Sequence, residues 1–371
     1  MSEILLVTRP ITPPWDEGSK NIAWNIASRA SKHRFQLLTS NQTGLPGDLE
    51  NIKLRKIYTS KDLNFKQQFR LLWFLTTKPL PSVDIFHSIF VPTPVKSGIV
   101  SLISRIKNKR YIQTVPSLNH HFTLKEAKNI FFSDHIIALS DRTAEKLVAI
   151  GIKHISRINV GIDLEIFSPI KDKNTNRSKF GLQQNVTLAL YSGELSRLGS
   201  LSMMLSIVQR VLKNSKELHF VFASPTRLPE DSIARQRAFL EIKALDLSDR
   251  VHFLGDVSDF SELLRISDML VYPVSTMTGK IDTPLTILEA MAAELPLIIS
   301  DLPPLDEVFH RTAGIAVPPD NMVEFADAII ELAGDPIQRR EMGRCGREIV
   351  KEHFNINTMV DSYERLYSKF N

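Results

Sequence analysis

The sequence predicts an α/β protein with two parallel sheets. Short apolar segments typical of buried strands alternate along nearly the whole chain with amphipathic segments typical of helices. Such alternation implies parallel strands joined by crossover helices, and two sets of about six strands imply two doubly wound domains. The first set of predicted strands lies at residues 3–8, 35–39, 83–90, 110–115, 134–139 and 156–160. The second set lies at residues 186–192, 217–223, 250–254, 268–273, 296–300 and 314–317.

A polar segment separates the two sets of strands. Residues 170–178 contain no strand pattern and are typical of a linker, so we predict an N-terminal domain at 1–165 and a second domain at 166–352. Residues 353–371 follow as a single helix, because their apolar side chains recur at helical spacing. These side chains are Ile356, Met359, Val360, Tyr363, Leu366, Tyr367 and Phe370.

Composition excludes several classes of protein. The single cysteine, Cys345, excludes an intrachain disulfide and suits a reducing compartment. The N-terminus lacks the basic leader of a signal peptide. No apolar run approaches the roughly 18 residues that cross a bilayer. We therefore expect a cytoplasmic protein.

The charge is unevenly distributed along the chain. Residues 1–170 contain 23 basic and 13 acidic side chains, whereas the remaining residues contain 23 basic and 28 acidic ones. The basic N-terminal half indicates an anionic partner, such as lipid headgroups, a phosphorylated acceptor or an acidic polymer. The alternative is that the two halves complement each other across an interface. Nucleic acid is not an expected partner, because the sequence contains no readout motif.

The most informative segment runs from Thr283 to Asp301. Apolar residues recur at helical spacing from Leu285 to Met291, a proline-containing turn ends the helix, and a short apolar strand follows. Glu289 is the single acid in the middle of this apolar helix. Such an acid is usually either paired or facing a ligand, and ligands of α/β proteins gather at strand ends.

This segment resembles the donor-site signature of retaining glycosyltransferases of the GT-B fold, glycosyltransferase family 4. The family form is an acid, Gly-Phe-Gly, several apolar residues and then Glu-Ala-Met-Ala, which residues 289–292 match. Residues 159–163 (Asn-Val-Gly-Ile-Asp), with Phe167 and Pro169, resemble the family's interdomain segment. The resemblance implies two Rossmann-like domains facing across a cleft. It also implies a C-terminal helix that crosses back to the N-terminal domain.

The resemblance assigns donor binding to the second domain. Glu289 is expected to accept hydrogen bonds from ribose hydroxyls; the alternative is that it caps a neighbouring backbone group. The family's first acid falls on Ile281, so Asp282 is expected to contact the donor sugar as a catalytic residue, and Lys280 to add positive charge. Residues at the start of the helix would meet the sugar or the β-phosphate. They are Thr283, Pro284, Leu285 and Thr286.

A strand, a glycine-containing turn and a helix start predict a phosphate site after residue 191. Amides at a helix N-terminus point at the ligand, and the helix dipole favours anions. Ser192 and Gly193 begin the turn. Arg197 is expected to replace the Arg and Lys of the family, because Glu194 occupies the family's Arg position. The alternative for Arg197 is a surface arginine beside a structural turn.

The loop after the first strand resembles the family's loop with Pro-Pro and Gly-Gly, and the resemblance implies contacts with donor and acceptor. Gly18 permits close backbone approach to the donor. Lys20 can hold phosphate on the acceptor side, and Trp15 can stack on an acceptor sugar.

Histidines are the remaining candidates for the reacting centre. The family often places a histidine after an N-domain strand, where this chain has Pro116. His120, next to His121, is the expected catalytic replacement, and His87 is expected to contact the acceptor. For each of them the alternative is a solvated or core histidine.

Residues 65–78 form a basic, aromatic and amphipathic segment, and residues 104–110 add further basic side chains. A helix of this kind can lie on an anionic membrane surface, which would make the protein peripheral on the inner face of the membrane. The alternative is a core-facing helix with a solvated basic edge.

Together these features predict a metal-independent retaining glycosyltransferase without a cofactor. It would move a hexose from a nucleotide-diphosphate sugar to a sugar or lipid-linked acceptor in surface-glycan biosynthesis. Two alternatives stay open: a sugar-nucleotide epimerase of the same fold, and a catalytically degenerate protein that binds sugar nucleotide or supports a partner transferase. The changes at Glu194, Ile281 and Pro116 motivate the degenerate alternative, whereas the two motifs favour transfer.

Overall fold

The computed structural model describes most of the chain. The described residues are 1–13, 15, 17–40, 45, 49–60, 63–78, 80–92, 97–98, 101, 109–118, 124–196, 200–226 and 229–370. They form two compact units that do not follow simple chain order. The first unit contains Met1–Gly161, Gly279–Thr283 and Ile356–Asn371, and the second contains Ile162–Thr278 and Pro284–Asn355. The chain therefore leaves the second unit for the five residues Gly279–Thr283 and then returns to it.

Strands and helices alternate as the sequence predicts. The strands are β1 (Glu3–Val7), β2 (Arg34–Ser40), β3 (Ile52–Tyr58), β4 (Ile85–Ile89), β5 (Arg110–Val115), β6 (His135–Ala138), β7 (Ile155–Arg157), β8 (Thr187–Tyr191), β9 (Leu218–Phe222), β10 (Val251–Phe253), β11 (Met269–Tyr272), β12 (Leu297–Ser300) and β13 (Gly314–Val317). The α-helices are α1 (Gly18–Arg29), α2 (Phe65–Thr77), α3 (Leu124–Ile130), α4 (Asp141–Ala149), α5 (Asn174–Arg177), α6 (Ser200–Asn214), α7 (Pro229–Ala244), α8 (Phe260–Ile266), α9 (Leu285–Ala292), α10 (Met322–Gly334), α11 (Pro336–His353) and α12 (Ile356–Ser368).

A parallel sheet of seven strands forms the centre of the first unit. Its order is β3-β2-β1-β4-β5-β6-β7, so the direction in which strands are added reverses between β1 and β4. The central strands are buried along their length: all five residues of β4 and the last five of β5 are buried. Burial on both faces explains why these strands are mostly apolar, and His87, Ser88, Gln113 and Thr114 are their buried polar residues.

The sequence analysis missed strand β3. The other twelve strands lie within three residues of their predicted bounds, but Ile52–Tyr58 was not assigned. β3 lies at the edge of the first sheet, and its exposed Lys53 and Lys56 interrupt the apolar pattern. Edge strands commonly carry such charges, because lysines discourage pairing with another chain.

Helix α12 belongs to the first unit through specific contacts. Its Glu364 carboxylate accepts hydrogen bonds from the backbone amides of Ser31 and Lys32, at 2.6 and 2.7 Å. The start of α12 lies so close to Gly161 that a Cβ at this position would be 2.5 Å from the Cα atom of Ile356. A glycine is required here for the close approach of the two backbones.

The second unit is built on a parallel sheet of six strands. Its order is β10-β9-β8-β11-β12-β13, and the direction in which strands are added reverses between β8 and β11. Arg347 on α11 donates hydrogen bonds to the carbonyl oxygens of Leu164 and Phe167, at 3.1 Å each, and to that of Ala292 at the end of α9. One guanidinium therefore joins the first residues of the unit to the helix that carries Glu289.

Candidate functional site

A cavity of about 390 Å³ lies in the first unit, at the carboxyl ends of three neighbouring strands. Thr8 and Arg9 follow β1, Phe90 follows β4, and Pro116 follows β5. The cavity thus lies where the strand order reverses, which is the usual ligand position in doubly wound sheets. Its volume is within the range of about 300–1,000 Å³ that is typical of small-molecule sites.

A polar cluster of four side chains lines one part of this cavity: Thr8, Arg9, Glu17 and Ser19. The hydroxyls of Thr8 and Ser19 are 3.1 Å apart, and Ser19 Oγ donates a hydrogen bond to Glu17 Oε2 at 2.6 Å. Arg9 Nε lies 3.9 Å from Glu17 Oε1. The cluster therefore offers hydroxyl, carboxylate and guanidinium groups to a ligand. None of these four residues is among the site residues that were predicted from the sequence.

An apolar wall completes the cavity. Helix α2 contributes Phe65, Phe69, Leu72 and Leu75, which recur at helical spacing and so share one face. Phe90 and Val91 line the cavity from the strand side. Most of the lining is therefore apolar.

The segment Gly279–Thr283 docks on the first unit through Asp282. Its carboxylate accepts hydrogen bonds from Ser140 Oγ at 2.5 Å and from Thr143 Oγ1 at 2.6 Å, and it is only 5% exposed. Burial raises the pKa of the Asp282 carboxyl, and the two hydroxyl donors oppose that shift. The structure therefore gives Asp282 a docking contact at the start of α4. Its predicted contact with the donor sugar stays a prediction.

The residues next to Asp282 in the sequence have two different roles: Thr283 contacts the first unit, and Lys280 and Ile281 line the cavity. Thr283, a predicted donor residue, is buried, and its Oγ1 donates a hydrogen bond to the carbonyl oxygen of Leu139 at 3.1 Å. Lys280 and Ile281 line the cavity together with Gly279. Ile281, at the position of the family's first acid, thus presents an apolar side chain to the cavity.

The loop after β1 holds its predicted residues in different environments. Gly18 is the first residue of α1, between two cavity-lining residues. Trp15 is 39% exposed and packs against Trp24, with ring centroids 5.6 Å apart and ring planes tilted by 31°. Lys20 is buried, and its Nζ donates to the carbonyl oxygen of Thr12 at 3.2 Å. The Lys20 ammonium therefore holds this loop, and its predicted phosphate contact stays a prediction.

His87 lies in the core and not at the surface of the predicted acceptor site. Its Nδ1 is 2.7 Å from the hydroxyl of Tyr367, its Nε2 is 2.8 Å from Thr114 Oγ1, and it has no exposed surface. Burial lowers the pKa of His87 to about 3. Both nitrogens are used internally, and one of them contacts Tyr367 of α12, which favours the alternative of a core histidine. The predicted acceptor contact stays a prediction.

The second unit places Ser192 and Gly193 directly after β8, beside the point of reversal in its sheet. A Cβ on Gly193 would lie 2.9 Å from the hydroxyl of Tyr191, which itself donates a hydrogen bond to the carbonyl oxygen of Glu194 at 3.1 Å. The turn is therefore tight against its own strand. Such a turn brings backbone amides close to a bound phosphate.

Helix α9 carries the remaining donor candidates. Pro284 is its N-cap residue and provides no side-chain cap, and Leu285 and Thr286 form the first turn. Glu289, in the following turn, is only partly exposed, and burial raises the pKa of its carboxyl from 4.5 to about 7. Its carboxylate makes no hydrogen bond or ion pair with any residue that the structure describes. The predicted backbone cap, the alternative to ligand binding, is not formed there.

Two predicted residues, His120 and Arg197, lie outside the described residues, as does His121. Their roles stay predictions. In the described ranges no group of three or more His, Cys, Asp and Glu side chains is arranged to hold a metal ion. Independence of metal likewise stays a prediction.

None of the helices in the described ranges is both long enough and apolar enough to span a bilayer.

One family model matches part of the chain. Residues 172–349 match the family Glycosyl transferases group 1. These residues, just under half of the chain, are therefore similar to a group 1 glycosyltransferase domain. This domain contains β8, α6 and α9, and with them the predicted donor residues Ser192, Gly193 and Glu289.

Solved structures confirm the predicted fold over the whole chain. The sucrose-phosphate synthase of Thermosynechococcus elongatus superposes with a TM-score of 0.80, covering 100% of this chain and 99% of that one, at 16% identity. HepE of Anabaena, in complex with UDP and glucose, superposes with a TM-score of 0.77 over 99% of both chains, at 14% identity. At such identities the likeness establishes the fold: two Rossmann-like domains with parallel sheets, as in GT-B glycosyltransferases.

Three of the five curated relatives are named as transferases of a sugar, and the other two are named as a synthase and an exopolysaccharide phosphotransferase. The N-acetyl-alpha-D-glucosaminyl L-malate synthase of Bacillus anthracis is 34% identical over 127 residues, which are 34% of this chain and 32% of that protein. The matches span from 18% to 54% of the length of the five curated relatives. The chain therefore spans about half or less of the length of the curated relatives that it matches.

Proposed function

We propose that the protein is a retaining, metal-independent glycosyltransferase of family 4. It moves a hexose from a nucleotide-diphosphate sugar to a sugar or lipid-linked acceptor, in the synthesis of surface glycans. It needs no cofactor beyond the donor substrate. The acceptor binds in the first unit and the donor in the second.

One observation supports the donor site most strongly, namely the state of Glu289. An acid whose pKa is raised to about 7 by burial, without a partner among the described residues, is costly to the folded protein. Such a cost is common at functional sites, where a ligand later supplies the missing hydrogen bonds. Two ribose hydroxyls are suitable donors for a carboxylate on α9. The similarity of residues 172–349 to a group 1 glycosyltransferase domain points to the same ligand.

The proposed chemistry is a same-face substitution. The acceptor oxygen forms a bond to the anomeric carbon on the face from which the nucleoside diphosphate departs. The bond between that carbon and the phosphate oxygen breaks, and its electron pair stays on the phosphate. The acceptor proton passes to this phosphate oxygen, so no protein base is required. The amides that begin α6 and α9 would stabilise the negative charge on the leaving diphosphate.

Attachment to the inner face of the membrane is part of the proposal. Helix α2 exposes three aromatic side chains at intervals of four residues: Phe65, Phe69 and Trp73, with exposures of 86, 58 and 60%. Lys66 and Arg70 are exposed on the same helix. An amphipathic helix that combines aromatic and basic side chains is suited to an anionic membrane surface.

The experiment that tests the function begins with the donor. The unfolding temperature of the purified protein is measured with UDP-, GDP-, ADP- and dTDP-sugars. Stabilisation by one nucleotide family is expected, because a ligand that binds only the folded protein raises its stability. If none of the four nucleotides stabilises the protein, the donor site is absent and the proposal is wrong.

The stabilising donor is then incubated with the protein and candidate acceptors. Release of nucleoside diphosphate with a product of unchanged anomeric configuration, read by proton NMR, is expected of a retaining transferase. Donor binding without release would favour the degenerate alternative. A change in the sugar's ring configuration while the nucleotide stays attached would favour an epimerase.

A further inference from the structure

We infer that the cavity of the first unit binds an acceptor in which an apolar chain is joined to an anionic head. This inference rests on the proposed function and narrows its acceptor from sugars and lipid-linked sugars to the chain-bearing kind. It follows from three features of the cavity: its apolar wall, its polar cluster, and the continuation of the wall onto the outer surface of α2.

The apolar wall is larger than a sugar needs. Leu63, Leu71, Leu72, Leu75, Phe90 and Val91 all line the cavity, in addition to the two phenylalanines of α2. Ile281 and Pro116 add two further apolar residues to the lining. A sugar presents hydroxyls that would stay unpaired against these side chains, at a cost for each group. A hydrocarbon chain gains free energy by leaving water at the same surface.

The polar cluster supplies a place for the head. Arg9 and Lys280 are the cations of the described lining, and Glu17 is its carboxylate, so the ionised lining is net positive. The N-terminal half of the sequence has the same sign. An anionic group that joins the chain to its sugar would be attracted here. The Ser19 and Thr8 hydroxyls and the Glu17 carboxylate are then available to the sugar hydroxyls.

The wall continues outside the cavity. Phe65 and Phe69 both line the cavity and are largely exposed, at 86 and 58%. Both side chains therefore present apolar surface to the cavity and to solvent. A chain longer than the cavity can extend along these side chains. Trp73 is equally exposed, at 60%, but it does not line the cavity, and this makes it a matched control.

The test uses three small molecules that distinguish binding of the apolar chain from binding of the anionic head. Binding of n-octyl phosphate, inorganic phosphate and n-octyl glucoside is measured by calorimetry below the micellar concentrations. We expect n-octyl phosphate to bind at least tenfold more tightly than inorganic phosphate, because only the former fills the apolar wall. Equal affinity for the two phosphates would overturn the inference.

Variants locate the binding site. Phe69→Ser should weaken n-octyl phosphate at least fivefold, whereas Trp73→Ser should leave its affinity unchanged. Arg9→Gln should weaken n-octyl phosphate more than n-octyl glucoside. An equal loss in Phe69→Ser and Trp73→Ser would show general adsorption to α2 and would overturn the inference.

Donor binding distinguishes failure of this inference from failure of the proposed function. Phe69→Ser should keep the full thermal stabilisation by the donor nucleotide sugar, which also shows that the variant is folded. Donor stabilisation together with equal affinity for the two phosphates would reject only the apolar acceptor. Tight binding of n-octyl phosphate without stabilisation by any donor would reject the glycosyltransferase and keep an apolar-anion site.

Discussion

The Asp282 carboxylate accepts a hydrogen bond from Thr143 Oγ1 at 2.6 Å. Asp282 comes ten positions after the end of β11 in the sequence, but it belongs to the first unit, where Thr143 lies on α4. We expect Asp282→Ala to lower the free energy of unfolding of the first unit by about 1–3 kcal/mol, the cost of leaving buried hydroxyls without their acceptor. All three tryptophans, Trp15, Trp24 and Trp73, lie in the first unit, so urea unfolding followed by their fluorescence reports on it.

A double-mutant cycle separates docking from catalysis. Thr143→Val removes one donor to Asp282 without touching a predicted substrate contact. If docking is the role of Asp282, Thr143→Val and Asp282→Ala should couple by about 0.5–3 kcal/mol. A complete loss of transfer in Asp282→Ala, with unchanged stability and no coupling, would instead confirm the catalytic role predicted from the sequence.

Gly161 should not tolerate a side chain. The Cβ of alanine would meet the Cα of Ile356 at 2.5 Å and the Cβ of Met359 at 2.9 Å, so the start of α12 would have to move. We expect Gly161→Ala to destabilise the first unit by about 1–3 kcal/mol, the usual range for overpacking. Gly98→Ala is the matched control in the same unit, because a Cβ there has no atom within 4 Å. Equal stability of the two variants in urea would contradict the close approach.

His87 should make the first unit sensitive to acid. Its pKa is about 3 in the folded protein and 6.5 as an ordinary histidine, so the unfolded chain binds the proton more tightly. The contribution of His87 is therefore complete above pH 6.5 and is lost as the pH falls towards 3, by at most about 5 kcal/mol. The difference in unfolding free energy between wild type and His87→Gln should decline over this window in tryptophan-monitored urea titrations. A difference that is constant with pH would show that His87 titrates normally.

Glu289 should have the opposite effect in the second unit. Its pKa is raised from 4.5 to about 7, so the folded protein binds this proton more tightly than the unfolded chain. The stability that it contributes is complete below pH 4.5 and is lost as the pH rises through 7, by about 1–3 kcal/mol. Glu289→Gln should remove this decline in the ligand-free protein, followed by circular dichroism. An unchanged slope between pH 4.5 and 7 would contradict the raised pKa.

Much of the fold could be predicted from the sequence because parallel strands buried on both faces leave short, mostly apolar segments. β4 and β12 are buried throughout and were assigned close to their bounds. β3 was missed because it borders solvent, where Lys53 and Lys56 replace apolar residues. Its alternation of apolar and charged side chains, the period of a half-buried strand, was the available signal.

The site was less predictable, because its side chains meet only through tertiary packing. Glu289 was identified because a single acid in an apolar helix is conspicuous in the sequence. No local pattern in the sequence showed that the Lys20 ammonium would donate a hydrogen bond to the carbonyl oxygen of Thr12. Nor did one show that His87 would form a hydrogen bond with the hydroxyl of Tyr367. The cavity combines α2, the ends of β1, β4 and β5, and residues 279–281, which are distant in sequence. Glu17 and Ser19 could have been noted as polar residues at a strand-to-helix loop.

Glu289 is proposed to bind the ribose of a nucleotide-sugar donor. The most direct test is the affinity of the stabilising nucleotide sugar for the wild type, Glu289→Gln and Glu331→Gln, measured by calorimetry at pH 8, where Glu289 is ionised. Glu331 is an exposed acid on α10 of the same unit and serves as the control. We predict a loss of about tenfold or more in Glu289→Gln, from a charged hydrogen bond of roughly 1.5–3 kcal/mol, and no change in Glu331→Gln. Equal affinity of Glu289→Gln and the wild type for the nucleotide sugar would show that Glu289 does not bind the ribose.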